Sequence, residues 1–348
     1  MKKFNIQPLD KNAMKQAKNN WDNIGKPLNS LGKLEKTSIQ MAGIFGTAQF
    51  NLNKKAVVVM CADNGVVAQG VTQTGQEVTK IVAENMTSDK ATVAIMAKQN
   101  GAEVFVVDIG IAHEYQNTNI INKNIMHGTN NLAKEKAMSK EQAIKAIETG
   151  IELVKDLKSK GYSVIGTGEM GIGNTTTSSA ITACLLNTNA EKVTGKGAGL
   201  SSKGLEIKIS VIKNALEMHK PDTNDMIDVL SKIGGLDIAG LVGVFIGGAV
   251  YRVPVVIDGF ISSVAALVAV KIAPQVKDFI FASHVSKEPA GQMVLDALGL
   301  EAMLHLDMCL GEGTGAVMAF HVFETANTVY NQMSNFEEIN VEKYQVLE

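Results

Sequence analysis

Two glutamates stand in glycine-rich surroundings where a carboxylate can meet a ligand. Glu169 lies in the run Gly168-Glu-Met-Gly-Ile-Gly-Asn-Thr-Thr, and Glu312 in Gly311-Glu-Gly-Thr-Gly. Flanking glycines remove steric bulk, and a carboxylate buried against apolar ligand atoms has a raised pKa, which suits proton abstraction near neutral pH. A lone glutamate is ordinarily solvated surface, but glycine on both sides after an apolar run favours chemistry for Glu312. After Glu169, the residues Gly171, Ile172, Gly173, Asn174 and Thr175 lead into an apolar helix expected over 180–186. Unpaired backbone N–H groups and the positive end of a helix dipole suit a phosphate monoester there, with ordinary helix capping as the plain alternative.

Other motifs weigh less. Gly166, Gly168 and Gly171 match a G-x-G-x-x-G pattern and raise a dinucleotide-binding dehydrogenase as the competing reading. That fingerprint needs a second strand ending on an acidic residue about 20 positions on, and the region around 186–193 is a poor strand. Asp63 and Asp258, each close to a glycine after an apolar run, divide evenly between turn formation and ligand contact. Lys208 shares a helical stretch with Lys203 and Lys213, for which a solvated face is the default. His284 is the one histidine placed at a strand end. No His or Cys spacing suggests a metal, and neither a G-x-S-x-G elbow nor a Walker loop is present.

These residues need elements to position them. From residue 54 onward, short Val/Ile/Phe runs alternate with stretches of helical period, the signature of βαβ units. Six strands are expected, over 56–62, 103–108, 163–166, 253–257, 278–282 and 302–309, with helices over 140–158, 204–218 and 261–272 among those between them. The expected fold is α/β, a Rossmann-like parallel six-stranded sheet flanked by helices. Residues 51–325 form its large catalytic domain. Residues 1–50, with a helix expected over 31–46, and 326–348, within a tail expected to be helical after His321, form a small helical domain built from both termini. The glycine-rich segments follow strands, so they converge on the crevice at the carboxyl ends, where open α/β sheets bind ligands.

Composition narrows the partners. Thirty-three basic against 35 acidic residues leave a net charge of −2, so the basic footprint of a nucleic-acid binder is missing. Cys61, Cys184 and Cys309 form no disulfide or zinc pattern, and Met1-Lys2-Lys3-Phe4-Asn5 is followed by no apolar leader, so a cytoplasmic chain without a membrane span is expected.

Taken together, the Gly168 run, Gly235-Leu-Asp-Ile-Ala, Arg252-Val-Pro-Val-Val-Ile-Asp-Gly-Phe, Ser283-His and Leu310-Gly-Glu-Gly-Thr-Gly-Ala resemble the nicotinate-nucleotide:dimethylbenzimidazole phosphoribosyltransferases of cobamide biosynthesis. Ser30-Leu-Gly-Lys-Leu-Glu, Gln76-Glu-Val-Thr and the Gly204 to Lys208 segment extend the similarity over nearly the whole chain. The resemblance implies transfer of ribose 5-phosphate from nicotinate mononucleotide to an aromatic base, with inversion to an α-ribotide, release of nicotinate, and no metal or other cofactor. It implies that Glu312 is the general base, with Glu169 a second carboxylate near the ribose. It implies that Gly171, Ile172, Gly173, Asn174, Thr175, Lys208 and Ser286 hold the phosphate, and that Gln76 and Leu310 line the acceptor pocket. A homodimer follows from it too, or a heterodimer with a homologous chain. The sequence departs from the family pattern at Leu28-Asn29, Asn64, Thr74-Gly75 and Gly291-Gln292. Dimethylbenzimidazole is the favoured acceptor, with phenol, p-cresol and adenine as alternatives.

Overall fold

Every residue of the first strand, β1 (Lys55–Ala62), is buried, as a central strand covered on both faces must be. Beside it run β2 (Ala102–Gly110), β3 (Ile121–Asn122), β4 (Val164–Met170), β5 (Val255–Ile257) and β6 (Ile280–Ala282). All neighbours pair in parallel, in the order β3-β2-β1-β4-β5-β6. That is the doubly wound order, and its switch point falls between β1 and β4, where a ligand crevice opens at the carboxyl ends. The computed structural model describes residues 4–344; the basic start at Met1-Lys2-Lys3 and the last four residues of the expected helical tail lie outside that range.

Helices α1 (Lys11–Asn23) and α2 (Lys33–Phe45) precede β1, while α3 (Glu77–Met86) and α4 (Thr92–Gln99) lead to β2. Helix α5 (Lys140–Ser159) is fixed at its start by a Ser139–Gln142 capping box and lays its 3.6-residue apolar stripe against a later helix. After β4 come α6 (Asn174–Leu185), α7 (Ala190–Val193), α8 (Ser202–His219), α9 (Met226–Ile233) and α10 (Leu236–Tyr251). Helix α10 is apolar all round because it is buried all round, between α5 and the sheet. The rest are α11 (Phe260–Ile272), α12 (Gly291–Leu298) and α13 (Thr314–Gln332). Among the described residues, no helix is long and apolar enough to cross a membrane.

Two expected elements differ. Residues 302–309 are no strand: Leu304 makes one parallel bridge to His284, and then Asp307, at φ 54°, turns the chain out while His305, Leu306 and Asp307 stay exposed. The sixth strand is instead Ile121–Asn122, two residues in an Asn-rich stretch with no periodic signal to reveal it. The tail is helical only through Gln332, after which Met333 is extended. Beyond it, Ser334 O accepts the Gly25 N–H at 2.9 Å, Asn335 bridges Ile24, and the Phe336 N–H donates to Asn23 O at 3.2 Å. Backbone pairing with the N-terminal segment thus replaces further helix. The two ends also share a small core in which Trp21, fully buried, packs on Tyr330 at 5.2 Å between ring centres. Beside it, buried Lys26 and Glu35 form an ion pair at 2.6 Å.

Candidate active site

The carboxyl ends of β4, β5 and β6 and the loop entering α13 enclose a cavity of about 630 Å³. Glu169, Asp258, His284, Ser286, Glu288 and Glu312 contribute its polar walls, and Val71, Val82, Met170, Phe260, Leu200 and Leu310 its apolar ones. A space of that size, mostly apolar with a few convergent polar groups, is the shape of a small-molecule site.

Glu312 is held in place by its backbone. Its φ of 64° lies in the left-handed region, and its carbonyl lies so close to β4 that a Cβ at position 168 would stand 2.4 Å from it. Only glycine fits there. Asp258, at the end of β5, fixes the same loop by accepting the Gly313 N–H at 3.1 Å and the Gly315 N–H at 2.6 Å. Asp258 therefore acts as a turn-former and also lines the cavity. Glu312 Oε2 is buried without a hydrogen-bond partner among the described residues. Burial pushes its carboxyl above the usual range, opposed by the Val93 backbone N–H and reinforced by Asp258. A half-buried carboxylate on the wall of a cavity can accept a proton from a bound molecule. Replacing Gly168 with Ala is expected to cost about 1–3 kcal/mol, read as a lower denaturation midpoint at unchanged slope, because either β4 or the Glu312 loop must shift.

Glu169 does not sit in a loop. It is the penultimate residue of β4, opposite Met60 of β1, so Gly166 and Gly168 are strand positions. The turn is confined to residues 171–173, with Gly173 at φ 96° starting α6. A dinucleotide fingerprint needs its glycines in the strand-to-helix turn, so the G-x-G-x-x-G match lacks its structural context. Burial, first, and then the charge of Asp237 push the Glu169 carboxyl up to about 8, against the lowering effect of the Asn174 amide; Asp258 and Glu312 add to the rise.

The segment expected to hold phosphate lines the cavity from Gly171 through Thr175. Its amides are not all free: Ile172 N–H donates to Thr79 Oγ1 at 3.1 Å and Asn174 N–H to Gly171 O at 3.1 Å. Among the described residues, the N–H groups of Gly173 and Thr175 have no protein acceptor, so they are the open donors at the start of α6. The Asn174 side chain also turns away, to Glu169 and Asp237.

Lys208 overturns its solvated-face reading. It is 1% exposed, because its face of α8 packs on α6, and its Nζ donates to Thr175 Oγ1 at 2.8 Å and Gly195 O at 3.1 Å. Burial pulls its pKa down to about 8, with Glu288 opposing. Ser286 lines the same end of the cavity, and its Oγ accepts the Glu288 N–H at 3.3 Å.

On the acceptor side, Leu310 is on the wall and 54% exposed. Gln76 is not brought there: it precedes α3, and its amide lies beside Gly128. Of the positions departing from the family pattern, Thr74 is on the wall, whereas Asn64 is buried and accepts from Thr177 Oγ1 at 3.0 Å. Sequence reasoning passed over Gln73, Lys196 and Glu288. Three glycines within the five residues of Gly195-Lys-Gly-Ala-Gly were the available signal for Lys196.

A family model described as phosphoribosyltransferase, DBI_PRT, matches residues 6–341. The chain belongs to the DBI_PRT phosphoribosyltransferases. Its relatives include a protein of Acetivibrio thermocellus named nicotinate-nucleotide–dimethylbenzimidazole phosphoribosyltransferase, 48% identical over 98% of this chain and 97% of the relative. One of the same name from Dehalococcoides mccartyi is 45% identical over 98% and 97%. Among solved structures, CobT from Thermus thermophilus superposes with a TM-score of 0.91 at 35% identity, covering 96% of this chain and all of that one. Membership in the DBI_PRT family sets the dehydrogenase reading aside. The cavity at the strand ends is thus the cavity of a phosphoribosyltransferase.

Proposed function

We propose that the enzyme moves ribose 5-phosphate from nicotinate mononucleotide to a ring nitrogen of dimethylbenzimidazole, in assembly of the cobamide nucleotide loop. The position of Glu312 carries this reading. Its carboxylate, on the cavity wall, takes the N–H proton of the acceptor, the freed nitrogen lone pair bonds to the anomeric carbon, and the bond to nicotinate breaks. The leaving electrons neutralise a pyridinium, so departure needs no acid. Attack from the face opposite the leaving group inverts the centre and gives an α-ribotide. With no further covalent chemistry to perform, the protein positions two substrates and removes one proton.

In this reading, Gly173, Thr175 and their neighbours Gly171, Ile172 and Asn174 receive the phosphate, with Lys208 supplying charge through Thr175 and Ser286 a hydroxyl. Glu169 stands at the reacting centre. The apolar wall from Val71 to Leu310 receives the acceptor ring, and Gln76 is left to hold the segment leading into α3. The same reading divides the chain at 51–325 from the paired termini. It takes a homodimer as the working form, a heterodimer with a homologous chain as the alternative, and the cytoplasm as the compartment.

Thr74 on the acceptor wall keeps phenol, p-cresol and adenine as competing acceptors. A competition assay offering dimethylbenzimidazole, benzimidazole, adenine, phenol and p-cresol with nicotinate mononucleotide, read by mass spectrometry, is expected to give the dimethylbenzimidazole ribotide in excess. A dominant phenolic or adenine product would reassign the acceptor.

A further inference from the structure

Asp237 belongs to the Gly235-Leu-Asp-Ile-Ala motif, for which the transfer just described has no use. It is fully buried in the first turn of α10, beside the switch point of the sheet. Its Oδ2 accepts a 2.9 Å hydrogen bond from Asn174 Nδ2, and the same nitrogen donates to Glu169 Oε2. A carboxamide nitrogen carries two hydrogens, so both are committed, and one atom holds two carboxylates together. Asp237 Oδ1 is buried with no partner among the described residues. Among the described residues neither carboxylate is part of an ion pair.

Two buried carboxylates this close do not both ionise, so the pair shares one proton. The surroundings decide where it rests. Asp237 sits at the N-terminal end of α10, where the helix dipole and the Ile238 N–H favour an anion. Glu169 is faced by anions on several sides: Asp237 from α10, Asp258 from the end of β5, and Glu312 from the loop before α13. Asp63 at the end of β1 bears on Asp237, and both carboxylates bear on the Cys61 thiol of that strand.

We propose that Asp237 is a positioning residue whose negative charge, held beside Glu169 by the shared Asn174 carboxamide, keeps Glu169 un-ionised so that its hydroxyl donates a hydrogen bond to an oxygen of the bound nucleotide. This rests on the phosphoribosyl-transfer reading for the identity of the ligand, though not for the location of the proton. The direction of the two titrations agrees, Glu169 being pushed up to about 8 and Asp237 only to about 6.

The test uses the resting protein first. An infrared band of un-ionised carboxyl present in the wild type at pH 7 is expected to be lost in Glu169→Gln. In Asp237→Asn it disappears at a pH lower by about one unit or more, because removing a neighbouring negative charge eases ionisation. In turnover, the alkaline limb of the wild-type kcat profile moves down by the same amount in Asp237→Asn, a shift that a purely structural role for Asp237 would not produce. Wild-type and Glu169→Gln spectra that coincide at pH 7, an unmoved titration in Asp237→Asn, or a Glu169→Gln enzyme as inactive as Glu312→Gln would each overturn the proposal. Should the spectra behave as expected while the wild type releases no nicotinate, the proton pair stands and the transfer reading falls.

Discussion

Glu312→Gln is expected to lower kcat by about 10²–10⁴-fold, the range that loss of a positioned general base produces, while KM for nicotinate mononucleotide changes little. The glutamine keeps the shape and the left-handed backbone, so the loop pinned by Asp258 stays in place. Only the proton acceptor goes. The pH dependence follows with a definite sign. Glu312 works ionised and its folded pKa is raised, so wild-type activity falls on the acid side, at a pH above the ordinary glutamate range. Stability moves the other way. A carboxyl whose pKa is raised on folding stabilises the folded state only while protonated, and that contribution is lost as pH rises through the folded value. At neutral pH the Gln variant therefore unfolds no earlier than wild type. Steady-state kinetics and a thermal melt on one preparation check both halves, and a loss of less than tenfold in kcat would remove Glu312 from the role of base.

The second large effect belongs to Lys208. Lys208→Met fills the same buried volume without the ammonium, and KM for nicotinate mononucleotide is expected to rise about 10–10²-fold, corresponding to the roughly 1.5–3 kcal/mol of a charge-assisted hydrogen bond. Chemistry at the anomeric carbon is served by other residues, so kcat falls less. Nicotinate riboside, which lacks the phosphate, discriminates: its KM should match between the two proteins. The wild-type enzyme also weakens its grip on the phosphate as pH rises through about 8, where Lys208 loses its proton, and the variant lacks this dependence. Equal penalties for the nucleotide and the riboside would show that Lys208 only braces Thr175.

Much of the architecture is legible in the chain because burial on both faces leaves an unmistakable trace. The apolar run at 56–62 is a strand, those at 253–257 and 278–282 hold the shorter strands β5 and β6, and the polar clusters after the latter two reach the crevice. What fails to show is set by tertiary neighbours. Gly168 and Glu169 have weak strand propensity, yet they extend β4 because β1 lies along the whole length beside them. Residues 302–309 carry an apolar run and still form only one bridge, at Leu304, before Asp307 turns the chain away. Lys208 reads as one lysine among three on a helix, and only packing of α8 on α6 distinguishes the buried one. The shared Asn174 amide joins positions 169, 174 and 237, a distance along the chain that no local pattern spans. Glu312, by contrast, is announced by its glycines, one of which, Gly315, is forced by contact with His284 Nδ1 at 2.1 Å from a notional Cβ.

The central claim is inverting transfer of a phosphoribosyl group to a nitrogen deprotonated by Glu312. Its most direct test is the proton NMR spectrum of the product formed from nicotinate mononucleotide and dimethylbenzimidazole. The account predicts one nicotinate released per ribotide and an α-configured anomeric centre. A β-configured ribotide, or nicotinate released with free ribose 5-phosphate and no ribotide, would contradict it.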